Sequence, residues 1–124
     1  MRIRIGWPAG EAHAQLEDTP TARQIIAALP IEGRANIWGK EVYFDTGVSA
    51  DLEPDARQVV DPGTVCFWTD GNALALPYGP TPVSRGDECR LVSDVNILGA
   101  LEEDASVLAS VRSGDEIRVE AVDG

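Results

Sequence analysis

Histidine and cysteine, the residue types on which many acid–base and nucleophilic sites depend, are scarce in this chain of 124 residues. His13 is the only histidine, so any Ser-His-Asp, Cys-His or multi-histidine zinc site would have to include it. Apolar and polar residues alternate around His13, which places it on the polar face of a strand. We therefore expect a solvated side chain there, and the catalytic residues stay unassigned.

The two cysteines, Cys66 and Cys89, do not form a CxxC motif, and the chain has no second cysteine pair. Neither a zinc site nor a dithiol redox motif is indicated. We expect two free thiols, with Cys66 partly buried in a strand. Asp87 and Glu88 would raise the pKa of the neighbouring Cys89 thiol, which works against a reactive thiolate.

Acidic residues outnumber basic ones, with 21 Asp and Glu against 10 Lys and Arg, and the net charge is −11. This charge argues against nucleic acids, which are bound through clustered basic residues, and against anionic membranes. The acidic runs at 51–55 and 102–104 lack the spacing and glycine of a calcium loop, so we predict no metal and no cofactor. Lys40 is the only lysine, a bias that fits either a GC-rich genome or a salt-adapted organism.

Aromatic side chains are the remaining candidates for a site, and most of them lie between positions 38 and 78. Strand alternation puts Val65 and Phe67 on one face and Cys66 and Trp68 on the other. One face must belong to the core. The other face is available to line an open groove, where tryptophan and tyrosine offer an apolar wall with one polar atom.

Short runs with a two-residue period predict a mainly β fold around these candidates. Hairpins are expected at Pro8-Ala9-Gly10 and at Gly39-Lys40, with further strands near 64–69, 73–78, 95–101 and 116–122. Thr19-Pro20 and Asp104 signal helix starts, and a helical turn is expected within 53–60. About eight strands and two or three short helices predict a closed β-barrel, which leaves no sheet edge exposed.

The chain shows no shift in composition that would mark a linker, so residues 1–124 are expected to form a single domain. It contains no run of about 18 apolar residues, and its first residues have a strand pattern instead of the apolar segment of a signal peptide. These features predict a cytoplasmic protein that does not bind membranes.

Three ordered segments carry a family resemblance: IWGKEVYF at 37–44, GNALALPYGPTP at 71–82 and VNILG at 95–99. In these motifs the chain resembles the small prokaryotic cyclophilin-like family, whose members are of about this length and largely uncharacterised in function. The resemblance implies a cyclophilin-type β-barrel with helices covering its open ends.

Cyclophilins proper are prolyl isomerases, and the arginine of a strand Phe-His-Arg sequence stabilises the twisted amide in their transition state. No Phe-His-Arg occurs in this chain, so the catalytic arginine cannot be assigned to any position. Prolyl isomerisation with a displaced donor, for which Arg34 is the first candidate, is the alternative hypothesis. A third is a domain that acts through subunit association.

The preferred hypothesis is a small domain that binds a peptide or a small molecule in an aromatic-lined groove. It is motivated by the concentration of aromatic residues near the Pro-Thr-Pro stretch and by the absence of a complete catalytic set. The predicted groove residues are Trp38, Tyr43, Phe44, Trp68, Asn72, Tyr78, Thr81 and Asn96. The sequence leaves the ligand and the oligomeric state open.

Overall fold

Ten strands, one α-helix and two 3₁₀ turns make up the computed structural model, which describes residues 1–122. The strands are β1 (Arg2–Trp7), β2 (Gly10–Leu16), β3 (Ile31–Arg34), β4 (Asn36–Ile37), β5 (Glu41–Asp45), β6 (Arg57–Val60), β7 (Thr64–Trp68), β8 (Ala73–Pro77), β9 (Cys89–Leu101) and β10 (Glu116–Ala121). The helix α1 spans Pro20–Ala28, and the 3₁₀ turns span Thr69–Gly71 and Ala105–Ser110. None of the helices in these residues has the length and hydropathy to span a bilayer.

The strands pair in the order β3-β10-β1-β2-β9-β7-β8-β5-β4, and β6 pairs with β9 outside this path. Only Ala35 separates β3 from β4, the two ends of the order, so the sheet curves into a nearly closed barrel. The predicted mainly β barrel with few short helices is confirmed. The structure has two more strands than the predicted eight, because Ile31–Arg34 (β3) and Arg57–Val60 (β6), where no strand was expected, are also strands.

Local sequence signals account for the elements that were predicted correctly. Both hairpins form, with β1 paired to β2 and β4 paired to β5. The Thr19 side chain caps α1 by accepting a hydrogen bond from the Ala22 N–H at 3.1 Å. Gly39 in the second hairpin has φ +60°, and a Cβ there would stand 2.8 Å from Thr81 Cα, so the turn requires glycine.

Two predicted elements differ from the structure, and they contact each other. Within 53–60, where a helical turn was expected, a single turn forms at the start, with the Ala56 N–H donating to the Glu53 carbonyl at 3.1 Å. The rest is wrong, because Arg57–Val60 is a strand that pairs with the first half of β9. The strand expected at 95–101 begins six residues earlier, at Cys89. The first half of β9 alternates in burial from Cys89 to Val95, but its sequence hides this pattern, because the polar Ser93 lies on the covered face and the apolar Val92 on the exposed one.

The barrel interior holds the main hydrophobic core, and α1 covers one part of it through Ala22 and Ile25. A second, smaller cluster lies on the outside of the barrel wall, where β6 and the first half of β9 cover β7 and β8. Its buried members are Val60, Cys66, Ala75, Cys89, Leu91 and Val95. Strand β7 is therefore apolar on both sides: Val65 and Phe67 face the interior, while Cys66 and Trp68 face the outer cluster.

We predict that Gly99→Ala disrupts the barrel where β9 crosses from β2 to β7. A Cβ at Gly99 would stand 1.9 Å from the backbone oxygen of Gln15, and a backbone atom cannot move aside as a flexible side chain can. We expect a loss of about 3 kcal/mol or more in the free energy of unfolding, measured by urea denaturation.

The matched control is Gly6→Ala in β1, where a Cβ meets nothing within 4 Å. This variant should unfold at the same urea concentration as the parent or slightly above it, since alanine restricts the unfolded chain more than glycine does. Equal stability of the two variants would show that the β2–β9 crossing tolerates a side chain.

Candidate functional site

A pocket of about 190 Å³ lies on the outer face of the barrel, beside the outer cluster. Strand alternation selects which β5 residues reach it, because Glu41 and Tyr43 line the pocket while Val42 and Phe44 pack in the interior. The first half of β9 forms the opposite wall. The lining residues are Trp38, Glu41, Tyr43, Trp68, Ala75, Leu91, Val92 and Val95.

Three half-buried aromatic side chains, Trp38, Tyr43 and Trp68, form much of the pocket wall. The rings of Tyr43 and Trp68 lie edge to face, with centroids 6.3 Å apart and planes at 81°. The indole N–H of Trp68 donates to Ser93 Oγ at 3.0 Å, which fixes the ring against β9. Ala75 pairs with Tyr43 on one side and Cys66 on the other, and its small side chain leaves the space that the pocket occupies.

Glu41 is the polar group of the pocket, and only 6% of its surface is exposed. Its Oε1 has no hydrogen-bond partner among residues 1–122. Burial raises the pKa of this carboxyl from 4.5 to about 7, because the charged form loses its hydration. A buried carboxyl with a free acceptor at the edge of an apolar cavity is a typical feature of a ligand site.

Both cysteines are free thiols in the outer cluster, close to this pocket. Cys66 is fully buried, more so than the sequence suggested, and burial raises its pKa well above the ordinary value. The pKa of Cys89 is also raised, as predicted. The main cause is burial, followed by the charges of Asp61 and Glu41, and the adjacent acidic residues at 87 and 88 are not the source.

The structure brings three of the eight predicted groove residues together: Trp38, Tyr43 and Trp68. Phe44 does not join them, because it is fully buried in the interior on the opposite face of β5 from Tyr43. Tyr78 also packs against the interior cluster. Alternation along a strand therefore excludes Phe44 from any groove that contains Tyr43.

The three predicted polar residues have structural contacts away from the pocket lining. Asn72 is the left-handed residue of a turn, with φ 50°, and its carbonyl accepts from Thr46. Thr81 is buried, and its hydroxyl donates to the carbonyl of Arg90. Asn96 is fully buried and lies in a hydrogen-bond network with α1 and the loop before β6.

Sequence reasoning missed Glu41, Ala75 and the β9 wall. Glu41 was detectable, because it lies two residues from Tyr43 and so shares its strand face. The β9 residues Leu91, Val92 and Val95 could not be assigned while the first half of that strand was unrecognised.

A wider depression of about 650 Å³ contains Arg34, but its charged groups are already paired. Arg34 lies 3.5 Å from Glu116, and Arg118 pairs with Glu32. Arg34 is not among the residues that line the aromatic pocket. His13 lies on a polar strand face, as predicted, with Nδ1 2.7 Å from Glu103 Oε2.

We predict that Glu41→Gln changes the pH dependence of stability. The pKa of Glu41 is about 4.5 in the unfolded chain and about 7 in the folded protein. Between these two pH values the folded protein keeps a proton that the unfolded chain has released. The free energy of unfolding therefore falls as the pH rises from 4.5 to 7. The stability of Glu41→Gln relative to the parent should increase by about 3 kcal/mol from pH 4 to pH 8. Urea denaturation of both proteins across this range measures the difference.

Glu116→Gln is the control, because this carboxylate is exposed on β10. Its stability relative to the parent should be nearly constant over the same range. If the difference in unfolding free energy between Glu41→Gln and the parent also stays constant from pH 4 to pH 8, the raised pKa of Glu41 is contradicted.

Comparison with known proteins agrees with the fold. The chain matches the model of the Cyclophilin-like family over residues 1–120. It is similar to the hypothetical protein AF2241 from Archaeoglobus fulgidus, whose solution structure gives a TM-score of 0.83 at 35% sequence identity, covering 98% of this chain and 95% of that one. No curated protein matches the chain. The barrel, its element order and the match over nearly the whole sequence show that this chain belongs to the cyclophilin-like family.

Proposed function

We propose that this cyclophilin-like chain is a binding domain, and that the pocket formed by Trp38, Tyr43, Trp68 and Glu41 receives part of a peptide or a small molecule. The observation that carries the proposal is the unpartnered Glu41 Oε1 at a cavity whose walls are mostly apolar and aromatic. Buried polar atoms are normally hydrogen-bonded, so a free buried acceptor beside open space favours a ligand that supplies the donor.

The size of the pocket limits what enters it. At about 190 Å³ it is smaller than the roughly 300–1,000 Å³ of typical drug-sized sites. One amino-acid side chain or one end of a small molecule fits this volume, and the rest of the ligand would extend over the surface near Val92, which is 52% exposed.

We predict that Val92→Trp obstructs the pocket without disturbing the core. The probes are the N-acetyl amides of leucine, phenylalanine, proline and lysine together with short alcohols and amines, observed by saturation-transfer NMR. Any probe that the parent binds should bind the variant about tenfold more weakly or worse, because the larger side chain occupies the mouth.

Val83→Trp is the matched control, since Val83 is a similarly exposed valine that does not line the pocket. It should bind every probe as the parent does. Trp68→Ala, which removes part of the wall, should weaken the same probes as Val92→Trp. Retained binding in both pocket variants would place the binding site elsewhere.

Prolyl isomerisation remains the alternative, but the pocket offers it no guanidinium, because the described lining residues include no arginine. We predict that the protein leaves the cis–trans exchange of an unstructured Ala-Pro peptide at its uncatalysed rate, with a time constant of tens to hundreds of seconds. NMR exchange spectroscopy with and without the protein measures this rate. Acceleration that disappears in Arg34→Ala would instead establish the isomerase.

A further inference from the structure

We propose that the aromatic pocket binds a protonated amine, with Glu41 as the counter-ion of its ammonium group. This inference rests on the proposed function, since it names the chemical class of the ligand for the same pocket. It commits to an aliphatic amine, such as a lysine-type side chain or a small alkylamine, and excludes carboxylates and phosphates.

The first support is the hydrogen-bonding state of the pocket. Glu41 Oε1 is the one buried side-chain oxygen or nitrogen in residues 1–122 that lacks a partner. A carboxylate accepts hydrogen bonds only, so its complement is a donor, and an ammonium group supplies both the N–H and the opposite charge. The indole N–H of Trp68 is not that donor, because it is bonded to Ser93 Oγ.

The second support is the aromatic wall. Tyr43 and Trp68 are perpendicular, with planes at 81°, and Trp38 adds a third aromatic side chain to the lining. The π face of such a ring attracts a cation and repels an anion, and tryptophan is the strongest of the aromatic residues in this respect. An ammonium group that contacts an open π face of this wall while it pairs with Glu41 would therefore be stabilised by both.

The third support is the charge around the site. Glu41 is the only charged residue among the described lining residues, and no arginine or lysine lines the pocket. The chain's single lysine, Lys40, precedes Glu41 and lies against Gly79, because a Cβ built at Gly79 would meet the Lys40 Cδ at 2.6 Å. The chain carries a net charge of −11, which attracts a cationic ligand and repels an anionic one.

The apolar lining suits the rest of an alkylamine. Leu91, Val92 and Val95 of β9 line the pocket and have side chains made only of hydrocarbon. The methylene groups of the ligand would be removed from water when they pack against these residues, and the ligand nitrogen would lie near the Glu41 carboxyl group.

Glu41 must be ionised to act as a counter-ion, so binding should depend on pH. The titratable groups around Glu41 are Tyr43 on its own strand, Cys66 on β7 and Cys89 on β9. The positive charge of Arg57 on β6 lowers the pKa of Cys66, but by less than burial raises it. Burial raises the pKa of both thiols, so they stay neutral at neutral pH. With the Glu41 pKa at about 7, the carboxylate fraction falls about 30-fold from pH 8 to pH 5.5, and amine affinity should fall by up to that factor.

The test is a titration of ¹⁵N-labelled protein with n-butylammonium chloride and, separately, with n-butanol at pH 8 and constant ionic strength. These probes have similar chains and both donate hydrogen bonds, so the difference between them isolates the charge. The indole N–H signals of Trp38 and Trp68 report the pocket. Trp7, whose indole donates to Ser110 and whose ring packs in the interior cluster, is the internal reference.

We expect n-butylammonium to bind at least about tenfold more tightly than n-butanol, and we expect Glu41→Gln to abolish this preference by weakening the binding of n-butylammonium. Glu116→Gln should keep the preference. If Glu41→Gln fails to fold, the affinity of the parent protein for n-butylammonium at pH 8 and at pH 5.5 gives the same information.

Equal affinities, or tighter binding of n-butanol, would overturn the ammonium assignment and leave the proposed binding pocket intact. A preference for n-butylammonium that persists in Glu41→Gln and at pH 5.5 would also overturn it. If neither probe shifts the signals of Trp38 or Trp68, the pocket does not admit small ligands, and the proposed function fails together with this inference.

Discussion

Strand β9 belongs to two layers at once, and most of the structure depends on this. Its second half lies inside the barrel wall between β2 and β7, and its first half pairs with β6 on the outside. The strand fits between its neighbours only because Gly99 has no side chain to collide with the backbone at Gln15. The same strand that closes the barrel therefore also carries the outer layer that creates the pocket.

The outer layer changes the physical environment of the barrel surface. Without it, Glu41 and Tyr43 would project from β5 into water, where a carboxyl group titrates at its ordinary pKa. With β9 above them, Glu41 is 6% exposed, and burial raises its pKa to about 7. A cavity remains because Ala75 is small and the aromatic rings beside it cannot collapse into the space. The pocket thus exists because the first half of β9 covers the outer face of the barrel without filling all the space above it.

The motif Val95-Asn96-Ile97-Leu98-Gly99 illustrates how a family signature can arise from packing. Val95 belongs to the outer cluster and Leu98 to the interior core. Asn96 is fully buried, accepts from the Glu53 N–H at 2.8 Å, and donates to the Thr21 hydroxyl and the Asp51 carbonyl, both at 2.9 Å. These bonds join α1 and the loop before β6 to the barrel. The motif was interpreted as containing a groove residue, whereas its asparagine holds three elements together.

Local sequence by itself determined the hairpins, the capped helix and the barrel class, because turn residues, the Thr19 cap and two-residue alternation act over a few positions. Strand β6 and the first half of β9 were not predicted, because Ser93 and Val92 hide the two-residue alternation of β9 and the pairing of β6 with β9 is a long-range contact. The pocket also needed the tertiary structure. Alternation along β5 places Glu41 and Tyr43 on one face and Phe44 on the other, but only the packed barrel shows that the first half of β9 covers the Glu41 face and leaves a cavity there.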